Sequence, residues 1–212
     1  MRVCFLALLV LLLSLSSIGV AQESGSVVAG LDIGITSALG DFKNDSLQAG
    51  TGFGLGAELK YSLFNGFSVG PFVRYHRFGS DIQSTDGNIS YNFTQYGALA
   101  KMNMFNVDKG RIYFIGGGGF FKPNRHTWTP DYIVDDTWDT GTFFMGGIGV
   151  SSNPLSTTIF EFEMRYNIGS ADYVTLNPAT LEEISEDYKF NFVYCLVKFS
   201  FNSKGKPAPP RY

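Results

Sequence analysis

Four groups of side chains invite a chemical reading. Glu161 and Glu163 are carboxylates two residues apart, and a close carboxylate pair is raw material for general acid–base work. His76 is followed by Ser80 and Asp81, the residue types of a nucleophile, its base and an orienting acid. The runs Asp131, Asp135, Asp136, Asp139 and Asp172, Glu182, Glu183, Glu186, Asp187 offer the oxygen donors that Ca²⁺ takes. Gly50 to Gly56 and Gly116 to Gly119 look at first like phosphate-cradling loops. Each reading meets an obstacle. No Gly-Lys-Ser/Thr follows either glycine run, and the acidic runs lack the spacing of an EF-hand loop. His76 and His126 are the only histidines and stand far apart, short of a metal ligand set. No motif ties His76 to Ser80 and Asp81. The expectation is therefore no catalytic residue, no cofactor and no metal.

The elements that carry these groups explain them better. Phe53, Leu55, Ala57, Leu59, Tyr61 and Leu63 alternate with Gly52, Gly54, Gly56, Glu58, Lys60 and Ser62, the two-residue period of a strand with two unlike faces. The same period places Val27, Ala29, Leu31, Ile33 and Ile35 opposite Asp32 in a first strand, 27–36. A third, 67–78, has Phe67, Val69, Pro71, Val73 and Tyr75 on one side and Arg74 and His76 on the other. Further strands are predicted near 91–104, 111–121 and 142–150. In 158–168, Phe160, Phe162, Met164 and Tyr166 alternate with Glu161, Glu163, Arg165 and Asn167. The last, 188–201, has Val193, Cys195, Val197, Phe199 and Phe201 on its apolar face and Lys198 on the other. A bulge is expected before Gln95 and an irregularity at Pro71, which cannot donate to a ladder. The four glycines 116–119 leave the phase of their strand open. Leu63 is expected to pair with Phe67 around Gly66, making Glu58 the diagonal neighbour of Arg74.

That makes eight strands, with long polar loops before the even-numbered ones and short turns before the odd-numbered ones. Long outside loops and short periplasmic turns mark outer-membrane barrels, which put the apolar face on lipid and the polar face in the lumen. Asp32, Glu58, Lys60, Arg74, Lys101, Glu161, Glu163, Arg165 and Lys198 are then an inward polar network, an ion-pair plug where eight strands leave room only for side chains. The glycines become small residues on a crowded inner wall. A soluble sandwich would bury the apolar face instead.

Composition agrees with a membrane barrel. The formal net charge is −3, and no basic patch suggests nucleic acid. Arg2, the apolar run Phe5 to Leu13, and Gly19-Val20-Ala21 read as a leader cleaved after Ala21. The expected organisation is leader 1–21, barrel 22–201 and a proline-rich disordered periplasmic tail 202–212. Cys195 is the only cysteine beyond the leader, so no intrachain disulfide is expected.

Leu39-Gly-Asp-Phe42, Gly52 to Glu58, Phe160-Glu-Phe-Glu-Met-Arg-Tyr166 and a closing strand ending on an aromatic give the chain a resemblance. It resembles the small eight-stranded bacterial outer-membrane β-barrels, the OmpA/OmpX type with a porin-like barrel domain. The resemblance implies an all-β, eight-stranded antiparallel up-and-down transmembrane barrel in the outer membrane of a Gram-negative bacterium. It implies contact with membrane lipid and lipopolysaccharide, handling by the barrel assembly machinery through the closing strand, and a monomer. It brings no catalytic residues. The expected role is non-enzymatic: structural, adhesive or ligand-contacting through outside loops, with the external ligand unspecified. The alternatives are a lipid A-modifying barrel enzyme using His76, and a soluble periplasmic lipocalin-like binder.

Overall fold

The computed structural model describes residues 24–44, 47–64, 66–80, 88–107, 110–129, 133–152, 156–176 and 183–204. The expected leader, Asp81 and Glu182 lie outside them. The elements run β1 (Val27–Leu39), α1 (Asp41–Asn44), β2 (Ala49–Phe64), β3 (Phe67–Ser80), β4 (Asn88–Val107), β5 (Gly110–Trp128), β6 (Ile133–Thr137), β7 (Gly141–Ser152), β8 (Thr158–Leu176), β9 (Glu183–Lys189) and β10 (Asn191–Asn202). All pairings are antiparallel, and β10 pairs with both β8 and β1, so β1, β2, β3, β4, β5, β7, β8 and β10 close a ring.

The register fixes the shape of that ring. Thr36 pairs with Tyr194, Tyr194 with Arg165, Arg165 with Gly147 and Gly147 with Ile115. Ile115 then pairs with Lys101, Lys101 with Ser68 and Ser68 with Ser62. The Ser62 amide donates to the Ser26 carbonyl at 2.9 Å, so one circuit returns to the first strand ten residues lower. A stagger of that size over eight strands, with ~3.3 Å rise and ~4.8 Å strand spacing, tilts the strands by about 40°. The lumen of such a barrel is just wide enough for side chains.

Alternation settles which face is which. Leu31, Ile33, Ile35, Phe53, Leu55, Leu59, Phe160, Phe162, Met164 and Phe199 are all exposed on the outside, while Glu58, Lys60, Arg74, Arg165 and Lys198 are buried within. No helix among the described residues is long and apolar enough to cross a membrane. The crossing is made by strands, whose closure leaves no unpaired edge in lipid.

Several local expectations are corrected. No register shift occurs near Gln95; the irregularity of β4 lies between Asn103 and Phe105, and Phe105 rather than Met104 takes the exposed outward place. In β5, Tyr113, Ile115 and Phe121 point inward and Phe114 and Phe120 outward, which settles the phase through the glycines. Pro71 pairs with Ala98 on β4 in unbroken register, while the β2–β3 ladder omits the positions between Glu58/Phe72 and Tyr61/Val69 without a shift. The missing amide costs pairing on one side only. At the first turn Phe64, not Leu63, stands opposite Phe67, after a shift beyond Ser62. Their rings stack at 5.0 Å, and Gly66 supplies a positive φ of 83° that other residues adopt only with strain.

The long outside loops are mostly sheet. β5 continues to Trp128 and folds back as β6, and β8 continues to Leu176 and pairs with β9. The expected last strand, 188–201, is broken at Phe190, whose amide donates to the Gly169 carbonyl at 2.8 Å. The expected tail begins later than Asn202, which is buried at the end of β10. The Lys204 ammonium reaches the Ser24 carbonyl at 3.1 Å, and residues 205–212 lie outside the description.

Candidate functional site

Inward positions of β1, β2, β3, β8 and β10 converge at mid-barrel because the strands tilt past one another. Glu58 is the hub. Its Oε1 accepts from Lys60 Nζ at 2.5 Å and Lys198 Nζ at 2.7 Å, and its Oε2 from Arg74 Nη2 at 2.9 Å and Arg165 Nη2 at 3.3 Å. The register puts Gly56 opposite Arg74 and Glu58 opposite Phe72, so Glu58 and Arg74 meet diagonally. Arg74 Nε also donates to Asp32 Oδ2 at 3.2 Å, and Tyr194 Oη to Asp32 Oδ1 at 2.9 Å. Glu163 accepts from Arg165 Nε at 2.6 Å, Tyr113 Oη at 2.7 Å and Lys198 Nζ. Glu161 accepts from Lys101 Nζ, from Ser200 Oγ at 3.1 Å and from Lys60 Nζ at 3.4 Å. Lys101 lies over the Tyr113 ring at 3.6 Å.

Glycines clear the space for these long side chains. A Cβ on Gly56 would collide with Arg74 Cγ and lie 2.9 Å from Asp32 Oδ1. One on Gly30 would lie 2.8 Å from Ser200 Oγ and 3.1 Å from Lys198 Cδ. The wall is small where the network is large.

The arrangement is poor material for catalysis or metal binding. Oxygens of Glu58, Glu161 and Glu163 lie within 4.8 Å of one another, the spacing of a cation site. Lys198 Nζ already occupies that role, pairing with Glu58 at 2.7 Å, Glu161 at 3.4 Å and Glu163. Five cations (Lys60, Arg74, Lys101, Arg165, Lys198) face four acids (Asp32, Glu58, Glu161, Glu163), so no further positive charge is called for. Buried ions persist only when paired and hydrogen-bonded in this way.

Above the charges sits an aromatic cap. His76 is fully buried inside the barrel, on the side of β3 that it shares with Arg74. Its Nε2 faces Gln95 Oε1 at 3.1 Å, and its ring meets Tyr194 at 4.8 Å and Phe192 at 5.0 Å. Nδ1 has no partner among the described residues. Ser80 Oγ donates instead to the Gln48 carbonyl at 3.2 Å. The short helix α1 drops Phe42 into the mouth, 5.1 Å from the Phe78 ring and 5.3 Å from those of Phe93 and Phe190. Trp138 packs higher still, 5.3 Å from Tyr173, 5.9 Å from Phe190 and 6.0 Å from Tyr188, and so ties the strand extensions together. His126 stays outside on the β5–β6 hairpin, its Nδ1 2.5 Å from Asp135 Oδ1. Sequence reasoning missed this cap. The available signal was the aromatics Phe78, Phe93 and Phe121 at inward parity near the outer ends of their strands.

A closed ring of eight tilted strands, apolar outside and charged within, with its long hairpins at one end, is a transmembrane barrel of the outer-membrane class. The chain belongs to the outer membrane protein β-barrel domain family, whose model matches residues 5–201, and the protein resides in the outer membrane. No curated protein matches it. Among solved structures, the outer membrane protein OprG of Pseudomonas aeruginosa superposes with a TM-score of 0.53 at 11% identity, covering 85% of this chain and 98% of that one. Neisserial surface protein A gives 0.51 at 14%, covering 84% and 97%. Ail, the attachment invasion locus protein of Yersinia pestis, solved with the heparin analogue sucrose octasulfate, gives 0.50 at 13%, covering 84% and 100%. At these identities the likeness is one of fold.

Proposed function

We propose that the protein is a non-enzymatic integral outer-membrane protein that contacts external molecules through the β5–β6 and β8–β9 hairpins. The supporting observation is the division of the molecule. The lumen is filled by ion pairs below and edge-on and tilted rings above, while the hairpins stand clear of it on a support braced by Trp138. The enclosure of His76 by Gln95, Phe192 and Tyr194, away from any serine or carboxylate partner among the described residues, favours this reading over a lipid-modifying enzyme. In the same reading the barrel works as a monomer, the assembly machinery engages the closing strand β10, and lipid and lipopolysaccharide solvate the apolar belt.

The test compares cells displaying the intact protein with cells displaying a variant in which residues 129–137 are replaced by Asn-Gly. Both are applied to immobilised matrix proteins and sulfated polysaccharides. Attachment should exceed that of cells lacking the protein and fall with the excision, while heat-dependent gel migration is retained. Equal attachment by all three, or hydrolysis of lipid A by the purified barrel, would overturn the reading.

A further inference from the structure

The outward face of β3, β4 and β5 changes character abruptly near its outer end. Up to the row Val73–Tyr96–Phe120 it is apolar. The next row is Tyr75–Thr94–Lys122, and the one beyond is Arg77–Asn92–Asn124. Arg77, Thr94, Lys122 and Asn124 are exposed, and among the described residues neither Arg77 nor Lys122 has an ion-pair partner. This contrasts with the lumen, where every cation of the network is paired.

Among the described residues, the acids are elsewhere. Four are locked in the lumen. Asp136 holds Arg125, Asp135 faces His126, and Asp41 lies 3.8 Å from Lys189. Asp172, Glu186 and Asp187 lie on the β8–β9 hairpin, and the backbone amide of Asp139 donates to the Asp172 carbonyl at 2.9 Å, which places Asp139 beside that hairpin. The patch is thus basic on a chain of net charge −3.

Its polar side chains are arranged as donors. Tyr75 Oη donates to Asn92 Oδ1 at 3.0 Å, which occupies the acceptor of that amide and leaves its N–H groups for an outside acceptor. Arg77 and Lys122 are separated by two strand spacings and one alternate position, about 12 Å between backbones. Long side chains from both can converge on a group between them, over Thr94 and Asn92.

We propose that this patch binds the phosphorylated headgroup of a glycolipid in the outer leaflet. The chemistry is that of an anion carrying several acceptor oxygens, met by a guanidinium, an ammonium and amide donors. The source is lipid rather than free anion because of position. The donors face outward, immediately above Val73, Tyr96 and Phe120, where acyl chains against the apolar belt place a headgroup beside them. A soluble anion would gain nothing from that belt.

The experiment uses the full chain in detergent and in phosphatidylcholine nanodiscs. Bisphosphorylated lipid A, dephosphorylated lipid A and inorganic phosphate are titrated, and adducts are read by native mass spectrometry. Bisphosphorylated lipid A should bind in preference to its dephosphorylated form. The double variant Arg77→Gln/Lys122→Gln should weaken it roughly tenfold, with unchanged heat-dependent migration, because both residues are exposed. The control Lys43→Gln/Lys189→Gln should bind normally, and affinity should fall as salt rises. Retained affinity in the double variant, equal loss in the control, or indifference to the lipid's phosphates would overturn the proposal. So would displacement by inorganic phosphate at concentrations comparable to the lipid, which would make this a free-anion site.

Discussion

Glu58 is the residue on which the lumen depends. Four cations share its two oxygens, so Glu58→Ala removes their common acceptor, which costs roughly 3–5 kcal/mol for a buried network. Urea unfolding in detergent micelles should show that loss, whereas Lys43→Ala, on exposed α1, should stay within about 0.5 kcal/mol of the parent. Arg74→Ala should also destabilise, and the double variant Glu58→Ala/Arg74→Ala should lose less than the sum of the two. Strict additivity would mean that the 2.9 Å contact carries no coupling. Glycines make a sharper contrast. A Cβ at Gly34 would run into the Cys195 carbonyl and Leu196 backbone, while one at Gly146 meets nothing within 4 Å. Gly34→Ala should therefore cost about 1–3 kcal/mol through overpacking and Gly146→Ala nothing measurable in the same assay.

At the scale of elements, the hairpin extensions are held by few contacts, and Trp138 is the largest of them. Its indole is buried against Tyr91, Tyr173, Tyr188 and Phe190, and truncating a buried Trp costs about 3–5 kcal/mol. That loss falls on the hairpins, because the barrel ladder does not run through them. Trp138→Ala should make the outside hairpins sensitive to proteinase K on intact cells while the protected barrel fragment keeps its heat-dependent migration. Uncut hairpins would show that β6 and β9 hold without the indole. The strands themselves were legible because each shows one period and two unlike faces. Their extension past the membrane was not, since Arg125, Asp136, Glu186 and Asp187 pair with each other or with solvent and lack an apolar face that would mark a strand.

For the whole molecule, the filled lumen governs what can pass. Eight strands leave space only for side chains, and here ion pairs and rings use it. Planar-bilayer recordings should show at most small, infrequent conductances; steady porin-sized steps would contradict the packing. Cys195 is the free thiol of β10 and lies on the outward, lipid-facing parity with Val193 and Val197. In nanodiscs it should react with a membrane-permeant maleimide and resist a charged one, and equal rates would place that face in water.

By itself the sequence determined the fold class, the orientation of each strongly alternating strand and the face on which each charge sits. Those follow from the two-residue period, and a single strand carries that information locally. It also determined the diagonal meeting of Glu58 and Arg74, because a short turn fixes register between neighbours. Only the tertiary structure decided which charges from distant strands share Glu58, because their meeting depends on the stagger summed over the whole ring. It alone decided that His76 lies inside the aromatic cap. It alone joined Arg77 and Lys122 above the apolar belt, since their nearness exists only after β4 has been laid between their strands.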